Sequence, residues 1–509
     1  MSTEPRTDKP IFIGTFVLLL AACIPMFLWP AESQRNIVDM YHWIAENLGI
    51  LYQWAVIAIV VMLLWVGLGR HGTRKLGNAE DQPEFSTFSW ASMLFCGGVG
   101  AGLIYWAAIE WGFYLKSPPF GAAPDSDAAR DWANAYGLFH WGPLAWLIYA
   151  LPTLCIGYQH YVRGAPDLRF STAVYGLFGK GTRANVAARI IDGLFMVSIL
   201  AGAGTSIALS VPMVSATIAD SLGLHRTLAM DIGVVIASVT ILAISAWFGV
   251  SKGIKKLTDF NVYLAFGFLL FVLFAGPTLF ILRSGTESLG FMLHNMLRMF
   301  TYTDPIHRTG FVEDWTIFYW AWWFSYGPFM GIFVTRISRG RTLREVIFSM
   351  AAYGSLGCAL FFIILGNYAA HLDLTGLLPV ATLLQQEDPA ETISSIIGFL
   401  PMGDGARMIF SIITVIFIAA AYNAKAYGLS ASTTADLQIG QDPARWNRVF
   451  WSLLVGLLPI ALLYLEGGIT VAKSAVLVAS LPLLLIIGLM SVHFVRCLEA
   501  DNPPRPTGQ

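Results

Sequence analysis

One feature recurs along the whole chain: stretches of about 20 predominantly apolar residues, separated by shorter polar segments. A stretch of this length forms a helix that can cross a bilayer, where every backbone N–H and C=O must be bonded within the chain. Of the 509 residues, 56% are hydrophobic and only 12% are charged. We therefore predict an all-α polytopic membrane protein with twelve transmembrane helices, near residues 11–29, 51–69, 88–115, 137–162, 188–218, 228–248, 260–282, 311–335, 346–367, 406–430, 449–465 and 473–495.

The basic residues predict the orientation of these helices. Lysine and arginine follow the even-numbered helices, as in Arg70, Arg74 and Lys75 after the second and in residues 336–344 after the eighth. Because such residues mark the cytoplasmic side, both termini are predicted to be cytoplasmic in a plasma (inner) membrane. The net charge of −1 provides no broad positive surface for a nucleic acid, so none is expected as a partner.

The segments outside the predicted helices suggest little soluble structure. Residues 1–10 and 496–509 are predicted to be short cytoplasmic tails, and residues 283–310 to hold an amphipathic helix on the outer surface. The five cysteines are scattered, which indicates neither a disulfide framework nor a metal site. No nucleophile–base pair, metal cluster or nucleotide motif is present, so we expect no cofactor and no enzymatic activity.

Two of the predicted helices contain residues that break a helix. The third carries a glycine run within residues 95–106, and the eighth carries Gly327 followed by Pro328. Transporters place their substrate sites at such breaks, and matching breaks in two halves of a chain are the best sequence indicator of the site. We therefore predict that the backbone opens at both places, and that the third helix lines a site with Gly98, Gly100 and Gly102. Close packing between helices is the alternative reason for a glycine run.

The two predicted breaks lie five helices apart, which indicates an internal repeat. We expect helices 3–7, in residues 76–282, and helices 8–12, in residues 311–495, to form two inverted five-helix repeats. Two additional helices precede them in residues 11–75.

The eighth predicted helix concentrates aromatic residues near its middle. At about 1.5 Å per residue from a start near Phe311, Trp322 and Trp323 lie roughly 16–18 Å into the membrane, which is too deep for the aromatic belt at the headgroups. Residues three and four apart share a helix face, so Tyr319 and Tyr326 extend this pair into one stripe. The fourth predicted helix carries a second cluster of rings: Trp141, Trp146 and Tyr149. Packing against lipid or within the core is the alternative for both clusters.

Uncharged ring faces in apolar surroundings suit one class of substrate. A quaternary ammonium has no N–H to donate, so ordinary hydrogen bonds cannot hold it, and a buried carboxylate would be costly whenever the site is unloaded. Several ring faces stabilise such a cation through their quadrupoles. We therefore predict a small betaine-type quaternary ammonium or sulfonium substrate; this chemistry does not distinguish the two.

Several motifs near the aromatic clusters are specific: DWTIFYWAWW at 314–323, VTRISRGRTLREV at 334–346, LFHWGPLAW at 138–146 and YTDPI at 302–306. Together with PEFSTFSW at 83–90 and SPPFG at 117–121, they resemble the betaine/carnitine/choline transporter family. The similarity runs from about residue 75 to the end of the last predicted helix. Within the family, these motifs are most similar to the carnitine/γ-butyrobetaine exchangers.

The resemblance implies the inverted-repeat fold of the sodium-coupled amino-acid transporters, alternating access, and a homotrimer built partly through the helix at 284–300. It also implies that six aromatic residues line the substrate box: Trp141, Trp146, Tyr149, Trp322, Trp323 and Tyr326.

The resemblance leaves the coupling mechanism open. At the positions where sodium-driven members carry hydroxyl side chains, this chain has Ala420 and Ala421 on the tenth helix and Ile199 and Ala203 on the fifth, and none of these side chains supplies an oxygen ligand. The carnitine exchangers instead carry an arginine on the seventh helix, where this chain has Asn261. Lys425, on the tenth helix, is a candidate replacement for the coupling cation. The alternative is that its side chain extends to the cytoplasmic headgroups.

Further departures from the family concern selectivity. The exchangers carry a glutamine just before the methionine that corresponds to Met330, and here that position is Phe329, which weakens the case for carnitine itself. Choline-specific members tend to carry an acid where this chain has Gly102, which favours a substrate with its own carboxylate. Glu110 could relay a proton or pair with a base, or it could anchor the helix end. His140 is interpreted as a packed polar residue or as a proton carrier.

Three functions remain open at this level. The first is a secondary transporter of betaine-type compounds such as glycine betaine, carnitine or γ-butyrobetaine, working by sodium-independent exchange. The second is a sodium- or proton-coupled uptake symporter for the same compounds. The third, of another class, is a membrane receptor that binds betaines without transporting them.

Overall fold

The computed structural model describes residues 6–179, 181–248, 255–435, 437, 441–465 and 468–501. The predicted tails therefore lie partly outside the described residues. Almost all of the described chain is helical. The α-helices are α1 (Lys9–Leu28), α2 (Pro30–Leu68), α3 (Thr87–Gly98), α4 (Ala101–Lys116), α5 (Asp127–His140), α6 (Pro143–Gly157), α7 (Thr182–Ser221), α8 (Leu228–Phe248), α9 (Lys255–Ala275), α10 (Thr278–Phe300), α11 (Phe318–Ile337), α12 (Leu343–Phe361), α13 (Asn367–Leu374), α14 (Val380–Gln386), α15 (Pro389–Gly398), α16 (Asp404–Ser432), α17 (Arg445–Leu454), α18 (Leu457–Tyr464) and α19 (Gly468–Asp501).

Short irregular helical turns extend several of these helices. The 3₁₀ turns are Arg70–Thr73 and Phe170–Val174, and the π-helical turns are Tyr158–Val162, Val312–Ile317 and Phe362–Gly366. Two strands of two residues, β1 (Arg6–Thr7) and β2 (Thr434–Ala435), pair antiparallel, with Arg6 opposite Ala435. This pair joins the N-terminal segment to the end of α16.

The predicted all-α polytopic class is confirmed. In the described part of the chain, nine helices are long and apolar enough to cross a membrane, or up to eleven if each of two bent helix pairs counts as one span. The aromatic helix α11 is not among them; its tryptophans and tyrosines carry polar N–H and O–H groups that lower its hydropathy. The predicted number of twelve spans, and their division into two repeats, stay predictions.

The seventh predicted helix ends earlier than expected. We predicted it to reach residue 282, but α9 ends at Ala275 and α10 leaves it at an angle of 112°. The intervening residues are Gly276 and Pro277, and proline cannot donate the N–H that a continuing helix needs. The surface helix predicted at 284–300 therefore begins at Thr278.

The break predicted at Gly327 and Pro328 is wrong. Helix α11 is continuous through both residues to Ile337. Its glycines instead allow close packing against α6, because a Cβ atom at Gly331 would lie 2.7 Å from Cβ of Pro152. Contact with a neighbouring helix thus keeps α11 helical although Pro328 removes one backbone hydrogen bond.

Candidate substrate site in the membrane core

The glycine run of the third predicted helix is a true break. Helix α3 ends at Gly98, Val99 and Gly100 are extended, with ψ of 174° and −165°, and α4 begins at Ala101. The two helices meet at an angle of 67°. Here the prediction of an opened backbone agrees with the structure.

The glycines in this break also permit close approach of aromatic rings, so the alternative reason for the run holds as well. A Cβ atom at Gly98 would lie 2.7 Å from Cη2 of Trp146 and 3.0 Å from Cε of Met330. A Cβ atom at Gly102 would lie 3.1 Å from Cη2 of Trp322. Both predicted aromatic clusters therefore contact the same short stretch of opened backbone.

The aromatic stripe of α11 forms one stack. The ring centroids of Trp322 and Trp323 are 5.4 Å apart with planes 5° from parallel, and the Tyr319 ring lies 5.6 Å from Trp323 at 23°. Tyr326 continues the stripe at 6.1 Å from Trp322. All four side chains are buried.

The second cluster faces this stack. Trp141 meets Trp323 edge-on at 4.8 Å, and Tyr149 meets the same ring at 6.0 Å and 86°. Trp146 lies 5.7 Å from Tyr149. We call the six predicted rings together with Tyr319 the aromatic cage: Trp141, Trp146, Tyr149, Tyr319, Trp322, Trp323 and Tyr326. The alternative that these rings face lipid is wrong, because each is at most 2% exposed.

A helix break that we did not predict positions Trp141. Helix α5 ends at His140, Gly142 is extended with ψ of −154°, and α6 begins at Pro143. The available signal was the Gly-Pro pair itself, which is also present in α11. Pro143 occupies the first turn of α6, where its missing N–H is not needed.

Hydrogen bonds at the polar edges hold the cage rings in place. The Tyr149 hydroxyl donates to the Gly98 carbonyl at 3.2 Å, and the Tyr326 hydroxyl donates to the Gly202 carbonyl at 2.8 Å. The Trp323 Nε1–H donates to the His140 carbonyl at 3.0 Å. The rings contact one another, so a bound cation requires them to separate.

Glu110 lies behind the cage and connects several of its members. This fully buried carboxylate accepts hydrogen bonds from the Tyr114 and Tyr319 hydroxyls and, at 3.1 Å, from Nε1 of Trp141. The interpretation that Glu110 anchors a helix end is wrong, because it lies within α4 and holds two cage rings.

His140 belongs to the same network. Its Nδ1 lies 2.9 Å from the Tyr114 hydroxyl and 3.8 Å from Oε1 of Glu110, and its Nε2 lies 3.1 Å from Oγ1 of Thr316. A hydroxyl, a carboxylate and an imidazole are thus linked directly behind the candidate site. Sequence reasoning allowed a pairing of Glu110 with a base but did not identify His140 or the tyrosines as its partners, because they lie on different helical segments.

Lys425 lies beside the cage rather than at the membrane surface. Its side chain is fully buried, and Nζ lies 4.3 Å from the ring centroid of Tyr326 and 4.0 Å from that of Tyr422. A Cβ atom at Gly100 would lie 3.7 Å from this Nζ. The alternative in which Lys425 extends to the headgroups is therefore wrong.

One of the four positions compared with sodium-driven members in the sequence, Ala421, is close to the break. A Cβ atom at Gly100 would lie 3.5 Å from Cβ of Ala421, and the Ala203 carbonyl accepts a hydrogen bond from the Tyr422 hydroxyl at 2.9 Å. Ser206 is a hydroxyl that we did not predict, and its Oγ would lie 3.4 Å from the same Cβ position at Gly100. Among the described residues, no group of three or more histidine, cysteine, aspartate or glutamate side chains could hold a metal ion.

The remaining predicted residues divide into two groups. Phe329 joins the cage border, with its ring 5.5 Å from Tyr326 and 5.7 Å from Nζ of Lys425. Asn261 lies on α9, is fully buried, and its Nδ2 contacts Sγ of Cys96, two residues before Gly98, at 3.9 Å. Its role in coupling stays a prediction.

The fit of Gly98 against the rings leads to a first prediction. Replacing Gly98 by alanine is expected to weaken substrate binding about tenfold or more, because the added Cβ displaces Trp146 and Met330. Binding is measured by tryptophan fluorescence of the purified protein. Gly267 to alanine is the matched control, because a Cβ atom there meets nothing within 4 Å. Equal effects of the two substitutions would contradict the packing role of Gly98.

A broken helix beside a buried, polar-anchored cluster is the arrangement that secondary transporters use for their substrates, and together with the polytopic fold it defines a membrane transporter. The model of the family described as BCCT, betaine/carnitine/choline family transporter, matches residues 10–503. The chain belongs to this family.

Individual proteins agree with this assignment. The chain is 30% identical over 507 residues to a protein of Acinetobacter baumannii named carnitine transporter, covering 99% of this chain and 92% of that protein. It is 31% identical over 454 residues to the uncharacterized transporter YeaV of Escherichia coli, covering 89% and 94%. A solved structure of a Na⁺-coupled sialic acid symporter matches with a TM-score of 0.42 at 12% identity, covering 88% of this chain and 85% of that one. That similarity is too low to support an inference.

Proposed function

We propose that this transporter carries betaine-type quaternary ammonium compounds by alternating access, as a sodium-independent exchanger. Its substrates would be glycine betaine, carnitine, γ-butyrobetaine or a related onium compound with a carboxylate. The observation that carries the proposal is the aromatic cage: seven buried rings from two helical regions, packed against one opened stretch of backbone.

The chemistry of the cage supports an onium group. Several of its O–H and N–H edges donate to carbonyls and to Glu110, so the faces rather than these edges remain for the ligand. A cation near a ring face gains about 0.5–2 kcal/mol per ring, with the larger values in desolvated sites. Several faces together therefore suffice for selective binding without a carboxylate inside the cage.

The surroundings of Lys425 support sodium independence. A sodium ion needs several oxygen ligands, and beside Gly100 the side chain of Ala421 offers only a methyl group while Ser206 offers one hydroxyl. The ammonium of Lys425 lies within reach of Gly100, the same place where the coupling cation of other members is expected. We propose that this fixed charge takes the role of the coupling cation.

Counterflow in proteoliposomes tests the proposed function. Vesicles loaded with unlabelled glycine betaine are expected to take up labelled glycine betaine without any ion gradient, and empty vesicles are expected to take up little. Strict dependence on an inward sodium gradient would contradict exchange. Binding without any uptake would favour the receptor alternative.

The network of Glu110 and His140 favours a second candidate function, proton-coupled uptake.

Replacing Glu110 by glutamine is expected to weaken binding about tenfold, because one amide oxygen cannot accept from Tyr114, Tyr319 and Trp141 together. If the protein is an exchanger, uptake by the wild type and by Glu110→Gln does not change when a pH gradient is imposed. Stimulation of wild-type uptake by an inward proton gradient, abolished in Glu110→Gln, would replace exchange by proton symport.

The assembly and orientation are proposed from the family alone. We propose a homotrimer in which α10 contributes to the contacts, with both termini in the cytoplasm. Cross-linking of the protein in native membranes, read as the number of chains per adduct, tests the trimer. Cysteine accessibility at Arg70 and at Arg308 from either side tests the orientation.

A further inference from the structure

Lys425 carries a buried Nζ for which the described chain provides no hydrogen-bond acceptor. The side chain is fully buried, and its Nζ, with three N–H groups, has no hydrogen-bond partner among the described residues. Ring faces lie next to it, at 4.0 Å for Tyr422 and 4.3 Å for Tyr326. Cation–π contact offsets only part of the cost of burying a charge.

The buried carboxylate behind the cage is already engaged. Glu110 accepts hydrogen bonds from Tyr114, Tyr319 and Trp141. By contrast Lys473, another buried lysine of the membrane core, donates to the Asp314 carbonyl at 2.7 Å. Lys425 therefore differs from a lysine that packing and hydrogen bonding explain.

Lys425 lies directly beside the cage. The Tyr326 ring is a cage member and also lies under Nζ of Lys425. The opened backbone touches the cage at both ends, through Gly98 and Gly102, and reaches Lys425 at Gly100 between them. The distance between an onium group in the cage and Nζ of Lys425 is thus no greater than the length of a small zwitterion.

The start of α4 adds a second positive element. This 16-residue helix begins at Ala101, directly after Gly100, which as N-cap residue has no side chain to accept from the first N–H groups. Free N–H groups and the helix dipole make such a start favourable for a carboxylate. Lys425 and the beginning of α4 therefore face the same point in the break.

We infer, on the basis of the proposed function, that Lys425 and the start of α4 bind the carboxylate of the substrate while the cage binds its onium group. The site then selects zwitterions in which the two charges are a few bonds apart. An onium compound without a carboxylate leaves the ammonium of Lys425 without a counter-charge, and it is bound more weakly.

Three ligands of nearly equal size distinguish the contribution of the cage to binding from that of Lys425 and the start of α4. Glycine betaine carries both charges, its methyl ester keeps only the onium group, and 3,3-dimethylbutanoate keeps only the carboxylate. For the wild-type protein in detergent, we expect dissociation constants about tenfold higher for the ester and for the carbon analogue than for glycine betaine. Tryptophan fluorescence or calorimetry measures all three.

Replacing Lys425 by methionine removes the charge at similar length. The affinity for glycine betaine is expected to fall about tenfold and that for the ester to change less than about threefold, so the ratio between them disappears. Lys425→Arg is expected to keep the ratio. The matched control is Lys473→Met, which removes another buried lysine and is expected to alter both affinities by the same factor.

Several results would overturn the inference. A wild-type protein that binds the ester as tightly as glycine betaine contradicts it, whether or not the variants fold. If Lys425→Met binds both ligands more weakly by the same factor, or binds both as tightly as the wild type, the inference is also contradicted. The proposal that the cage binds the onium group is unaffected by that result. A folded wild-type protein that binds none of the onium ligands overturns the proposed function and this inference with it.

Discussion

Replacing Trp323 by alanine is expected to weaken binding of glycine betaine by about 100-fold. Trp323 stacks on Trp322 and Tyr319 and meets Trp141 and Tyr149 edge-on, so it occupies the centre of the cage. The loss combines one desolvated cation–π contact of about 2 kcal/mol with the disorder of the neighbouring rings. Equilibrium binding to the purified protein measures it.

Two further variants make this result specific. Trp323→Phe keeps a ring face with a weaker quadrupole and is expected to lose about tenfold. Trp451→Phe is the matched control, because Trp451 is also fully buried but its Nε1 donates to Thr433, at the end of α16. A Trp323→Ala protein that keeps its stability and wild-type affinity would show that the cage does not hold the onium group.

Replacing Lys425 by methionine is expected to convert an exchanger into a carrier with comparable net flux. In the wild-type protein, returning without substrate moves a buried ammonium, which has no acceptor in the described chain, between two states of the site. Uncompensated buried charges cost several kcal/mol, and about 3 kcal/mol corresponds to roughly 100-fold in rate. We therefore expect exchange to exceed net efflux about 100-fold in the wild type and by only a few-fold in Lys425→Met.

The measurement compares efflux of labelled glycine betaine from proteoliposomes into buffer with and without external substrate. Lys473→Met is again the control and is expected to keep the wild-type ratio. If the ratio in Lys425→Met remains near the wild-type value, the fixed charge does not cause exchange. Saturating substrate inside the vesicles, and outside them in the exchange arm, keeps the weaker affinity of the variant from influencing the comparison.

The sequence was sufficient to predict the aromatic stripe of α11, and the resemblance to the family was needed to join it to the rings of α6. Residues three and four apart share a helix face, and the depth of Trp322 and Trp323 excluded the headgroup belt, so the stripe followed from local geometry. The break after Gly98 was predicted from helix-breaking residues in two helices that lie five helices apart, and it is present although the second break is not. Both features can be read from the residues of the helices that carry them.

What could not be predicted depends on contacts between helices. Gly142-Pro143 and Gly327-Pro328 are the same dipeptide, yet the first separates α5 from α6 and the second lies within a continuous helix. In α11 the dipeptide is followed by Gly331, which packs closely on Pro152 of α6. No local pattern contains this information.

The same limit applies to Lys425 and Glu110. Their spacing allowed either a surface or a buried position, and only the neighbouring rings decide it. Lys425 is enclosed by Tyr326 and Tyr422, and Glu110 by the hydroxyls of Tyr114 and Tyr319. The role of a charged residue in a membrane helix is therefore set by which face of the neighbouring helix it meets.

The short strand pair at the end of α16 has a mechanical consequence. Arg6 and Thr7 pair with Ala435 and Thr434, and the Asp8 amide donates to the Thr433 carbonyl at 2.9 Å, immediately before α1 begins. These bonds tie the end of the helix that carries Lys425 directly to the start of the first helix of the chain. A tilt of α16 that kept them would have to move α1 with it.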